Sequence, residues 1–67
     1  MDKALLRSIM ALHGDTNRDL SEYLGISEQS VSNKINENGT EFKQGEIAAI
    51  RQRYSLTAVQ VADIFFN

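Results

Sequence analysis

The sequence predicts an all-α domain of five short helices. Three observations carry that prediction. Apolar residues recur at helical spacing in five segments, and no segment alternates convincingly at period two. Four of these segments are opened by Asp2, Thr16, Ser27 or Thr57, all good N-caps. The chain has 67 residues and no Pro, so nothing breaks a helix from within.

Asp2 caps a first helix with Leu5, Ile9 and Leu12 at helical spacing, widened by Leu6 and Met10. Gly14 stops it, because glycine enters the left-handed conformation without penalty. Thr16 starts the second helix, with Asp19 at capping-box spacing. That helix carries Leu20, Tyr23 and Leu24 and ends at Gly25. Ser27 caps a third helix to about Asn36, with Val31 and Ile35 one turn apart. Asn38-Gly39 signals a turn, and Phe42 in the following loop is placed as a core plug. A fourth helix covers about Gln44 to Arg53, with Ile47, Ile50 and Tyr54 on one side. Thr57 caps the last, with Val61, Ile64 and Phe65.

Composition narrows the function. The length allows a single domain, residues 1–67, able to bury roughly 60% of its unfolded surface. Apolar residues at 42% suffice for a core. The longest unbroken apolar runs are four residues, such as Ile9-Met10-Ala11-Leu12, too short for a membrane span. Without Cys there is no disulfide and no thiolate metal site, and a reducing cytoplasm suits the chain. Seven Lys and Arg against nine Asp and Glu give a net charge of −2, which counts against nucleic-acid binding unless cations gather on one face.

The informative segment is residues 17–36, NRDLSEYLGISEQSVSNKIN. Two steeply crossing helices need a small residue at their contact, a sharp turn, and hydrophobes that lock the pair to the body. Ser21 supplies the first and Gly25 the second. Leu20, Leu24, Ile26, Val31 and Ile35 supply the locks.

With Ser21, Gly25 and Val31 in this register, the chain resembles the lambda repressor and Cro-like helix-turn-helix family, of XRE type. The family usually has Ala where Ser21 stands. The downstream text SVSNKINENGTEF, then GEI and YSLTAVQVADIFF, looks like short phage or prophage regulators of low-GC Gram-positive bacteria. The resemblance covers nearly the whole chain. It implies a compact lambda repressor-like fold, with the helix-turn-helix at helices 2 and 3, in a bacterial cytoplasm.

On helix 3, Val31 and Ile35 fall inward at about 100° per residue, and Gln29 and Asn33 fall opposite with Glu28 and Ser32 beside them. Helix-turn-helix proteins present this part of the helix to major-groove base edges, and Gln and Asn amides match adenine bidentately. Glu28 either accepts from a cytosine amine or complements the helix dipole. Outside this motif, Gln29 and Asn33 read as an ordinary solvated face.

For the phosphates, the resemblance places Asn17 and Arg18 near the backbone. Ser27 and Ser30 offer hydroxyls, Lys34 projects from the helix flank, and Lys43, Gln44 and Gly45 lie at the start of helix 4, a ready anion site. The family often has a hydroxyl cap where Lys43 stands. Each of these cations also fits a solvated surface charge.

Other residues point to structure. His13 helps end helix 1, and Arg51 and Arg53 suit the helix 4 dipole and can pair with acids. No spacing suggests a catalytic triad, a metal site or a cofactor site. Phe65 and Phe66 are adjacent and cannot both point inward. Phe66 is either a dimer contact, with Tyr54 or Val59, or a lone exposed aromatic.

The expected function is sequence-specific binding of double-stranded DNA without catalysis. A homodimer on a pseudo-palindromic operator would place its recognition helices about 34 Å apart and block transcription. Starting at Met and ending after its last helix, the chain reads as a short complete regulator. The alternative is a protein-binding module on the same fold, an antirepressor or scaffold, supported by the acidic balance. About four phosphate contacts per subunit set a log–log salt slope near −7 for a dimer, at about −0.9 per phosphate.

Overall fold

The computed structural model describes residues 1–66. Local signals define every helix end that matters for the site. Asp2 Oδ1 accepts from Leu5 N–H at 3.0 Å and opens α1, Lys3–Leu12, which His13 ends. A reciprocal box opens α2, Asn17–Leu24. Thr16 Oγ1 accepts from Asp19 N–H, and Asp19 Oδ2 accepts from Thr16 N–H. The Thr16 backbone N–H, and then the Thr16 hydroxyl, which donates to Asp19 Oδ2 at 3.0 Å, hold the Asp19 carboxyl below its ordinary pKa. Gly25 ends α2 in the left-handed conformation at φ +71°. Ser27 caps α3, Glu28–Ile35, so only residues 25–27 separate the two helices. The remaining helices are α4, Gln44–Tyr54, and α5, Ala58–Phe65; there is no strand among the described residues.

Every helix sends at least one side chain to zero exposure in one core: Leu6, Leu20, Val31 and Ile35, Ile50, and Ile64. Each such burial is worth about 1.5–3 kcal/mol, which a domain this small needs from every element. Ser21 is buried, as a small residue at a helix contact requires, and its hydroxyl donates to Arg18 carbonyl at 2.7 Å. Phe42 does plug the core, edge-on to Phe65. The radius of gyration, 10.7 Å, matches the roughly 11 Å of a compact domain this long.

One stripe differs from expectation. Leu12 is 84% exposed, and Leu5 and Ile9 are only half-buried; Leu6 and Met10 face the core. Helical spacing alone leaves the phase of a broad apolar stripe undecided. The phase is set by the descent at Gly14, where Asp15 N–H donates to Met10 carbonyl.

Candidate functional site

The outer face of α3 and the first turn of α2 meet in a shallow cleft lined by Asn17, Glu28, Gln29 and Ser32. The sequence singled out all four. Gly25 brings them together by folding α3 back beside the start of α2. Glu28 and Gln29 are exposed, and Asn17, Ser32 and Asn33 are half-buried. Gln29 Nε2 donates to Asn33 Oδ1 at 3.1 Å, across one helical turn. On the opposite side Val31 and Ile35 are fully buried. The inward and outward faces of α3 therefore fall where the periodicity puts them.

The expected phosphate-contacting residues differ in how free they are. Arg18, Lys43 and Gln44 are exposed. Arg18 Nε lies 3.4 Å from Glu22 Oε1, but both side chains are about two-thirds or more exposed, so the pair holds Arg18 weakly. Ser27 and Ser30 hold one another. Ser27 Oγ accepts from Ser30 N–H at 3.0 Å and donates to Ser30 Oγ at 2.9 Å. The Ser30 hydroxyl proton stays free for an acceptor.

Lys34 corrects the sequence reading. The spacing has it project from the α3 flank, yet it is only 7% exposed. Its Nζ donates to Glu46 Oε1 at 3.0 Å and to Glu41 carbonyl at 3.4 Å, tying α3 to the start of α4. A buried, paired ammonium has no reach to a phosphate. The spacing contains the clue: Lys34 lies three residues after Val31 and beside Ile35, on the shoulder of the buried face.

The start of α4 is likewise occupied from within. Glu46 Oε1 accepts Lys43 N–H at 2.8 Å, while the Lys43 side chain has no acceptor to return the bond. Burial pushes the Glu46 carboxyl up, but the hydrogen bonds from Lys43 N–H and the Lys34 ammonium outweigh it and leave the pKa lowered. Glu46 thus takes a place at this helix N-terminus that an external anion would seek.

On the far side, Asp15 accepts from Arg53 at 2.6 and 3.0 Å and from Tyr54 hydroxyl at 2.7 Å. The Arg53 hydrogen bonds, aided by Tyr54, hold the Asp15 carboxyl below its ordinary value despite its burial. Burial first, then the bond to Asp15, pushes the Tyr54 hydroxyl up. Arg53 also lies 4.7 Å over the Tyr23 ring. This network joins residues 38 and 39 positions apart, which no local spacing reveals. It also removes Tyr54, 4% exposed, from any dimer surface. Val59 and Phe66 are each 69% exposed on α5 and its C-cap.

Among the described residues no helix is long and apolar enough to cross a membrane, and no three His, Cys, Asp or Glu side chains gather as a metal site would require. No family model matches the chain, and no curated protein or solved structure does.

Proposed function

We propose that this chain is a sequence-specific DNA-binding regulator whose α2 and α3 form a helix-turn-helix of the lambda repressor and Cro-like kind. The observation that carries the reading is the two-sidedness of α3. Val31 and Ile35 anchor it in the core, while Gln29 and Asn33 turn a paired amide face outward beside Asn17. Amides both donate and accept, which suits major-groove base edges. Arg18 and Lys43 engage phosphates on either side, with Asn17, Gln44 and the Ser30 hydroxyl as neutral donors. Val59 and Phe66 form the contact of a homodimer on a two-fold operator, and the protein works in the bacterial cytoplasm as a phage or prophage switch.

The test is mobility of DNA from upstream of its own gene at low salt. A discrete retarded species is expected, lost when Gln29→Ala and Asn33→Ala are combined. The exposed charges keep a second reading in play. With Lys34 internal and Arg18 beside Glu22, only Lys43 is an exposed cation without an ion-pair partner among the residues expected at phosphates, a balance that suits a protein partner. Unretarded upstream DNA at low salt would favour that reading.

A further inference from the structure

We infer that Asn38 is a self-acting modification site of the folded protein, deamidated by the backbone nitrogen of Gly39, and that its isoaspartyl product loosens the link between α3 and α4. The inference does not depend on the DNA-binding reading. Asn38 and Gly39 are both exposed in the loop that leaves α3. Among the described residues no side-chain hydrogen bond holds the Asn38 amide. Gly39 has no side chain to crowd its nitrogen, stands at φ +77°, and has open space around its Cα. Its N–H donates only to Glu37 carbonyl, at 3.0 Å, so one local bond has to open. The other described asparagines lack this setting. Asn17, Asn33 and Asn36 precede Arg18, Lys34 and Glu37, whose side chains shield the next nitrogen. Asn17 and Asn33 are also held in helices, and Asn36 Oδ1 accepts from Arg7.

The chemistry needs only water. Gly39 N gives up its proton and bonds to Asn38 Cγ, and the amide nitrogen leaves as ammonia with that proton. The product is a five-membered cyclic imide. Water then opens the ring on one of two sides. Breaking the bond from nitrogen to Cγ leaves aspartate in an ordinary backbone. Breaking the bond from nitrogen to the main-chain carbonyl carbon leaves isoaspartate, whose backbone runs through Cβ and Cγ.

The position makes the second product matter. Asn38 N–H donates to Asn33 carbonyl at 2.9 Å and Glu37 N–H to Lys34 carbonyl at 3.3 Å, which closes α3. Four residues further on, Phe42 is buried in the core. Isoaspartate inserts a carbon into the short backbone path between these two fixed points. It also adds a carboxylate between exposed Glu37 and Glu41, at the negative end of the α3 dipole. The modified chain is therefore less stable, and the loop acts as a timer on the folded form.

The experiment holds the purified full chain and its Asn38→Gln variant at neutral and mildly alkaline pH. Ion exchange follows charge variants, and fragmentation of the tryptic peptide 35–43 locates the change. Wild type should gain one negative charge at Asn38 and none at Asn36 in the same peptide. The rate should rise roughly tenfold per pH unit, because the deprotonated nitrogen attacks. Asn38→Gln should not convert on this timescale. The isolated isoaspartyl form should melt below the Asn38→Asp variant, which carries the same charge on an ordinary backbone. A folded chain that stays unchanged while the urea-unfolded chain converts would overturn the inference. So would conversion at another asparagine, or an isoaspartyl form that melts with Asn38→Asp.

Discussion

Lys34 and Lys43 have the same side chain and opposite roles, which makes them a direct comparison. Lys34 is buried against Glu46, and Lys43 is exposed at the start of α4. Lys34→Met leaves Glu46 short of a partner in a largely buried place. It should cost about 1–3 kcal/mol in denaturant unfolding. In the fraction that stays folded, the salt dependence of DNA binding should not change. Lys43→Ala should do the reverse: little loss of stability, and a log–log salt slope shallower by about 0.9 per subunit. An unchanged slope in Lys43→Ala would remove Lys43 from the phosphate contacts. Gln29 and Asn33 were legible in the sequence because the 100° turn places them opposite Val31 and Ile35. Lys34 is not legible in this way, because its charge suggests the surface while its acidic partner lies 12 residues away in another helix.

At the scale of elements, caps and turns were the most legible features. Thr16 with Asp19, Gly25, Ser27 and Thr57 all act where the sequence puts them, because each signal is complete within about four residues. Gly25 joins the helices that make the site. An added Cβ there meets nothing within 4 Å, so Gly25→Ala should cost only the left-handed strain, about 1–2 kcal/mol, by thermal or denaturant unfolding. Ser55 ends α4 at φ +52°, a conformation that favours glycine. Ser55→Gly should stabilise the protein by about 0.5–1 kcal/mol on the same assay. The phase of α1 was not legible. Leu5, Leu6, Ile9, Met10 and Leu12 form a stripe too wide to show its own centre, and Leu12 lies on the outside.

Over the whole molecule the net charge of −2 reads differently once pairs are placed. Lys34 is neutralised by Glu46, and Arg53 by Asp15. The cations left for the proposed interface are Arg18 and Lys43. Two cations per subunit give a dimer slope of about −4 rather than −7. Non-specific affinity should be correspondingly low.

The same pairs set the response to acid. Asp15 and Glu46 both have lowered pKa values in the folded state. Their stabilisation is therefore complete above the unfolded carboxylate range and is lost as pH falls through the lower folded-state values. Asp15→Asn should be less stable than wild type at pH 7, and the gap should close below about pH 4 in unfolding series. A gap that is constant with pH would show that the carboxylate charge is not what joins the α1–α2 loop to α4.

The central claim is that α3 reads sequence through its amide face. The most direct measurement is fluorescence anisotropy with a selected duplex and a scrambled duplex, each titrated with wild type and with the Gln29→Ala, Asn33→Ala double variant. Wild type should favour the selected duplex by about 10³-fold or more, and the double variant by tenfold or less, with the salt slope of each unchanged. Equal affinity of wild type for both duplexes, or a preference that survives in the double variant, would contradict it.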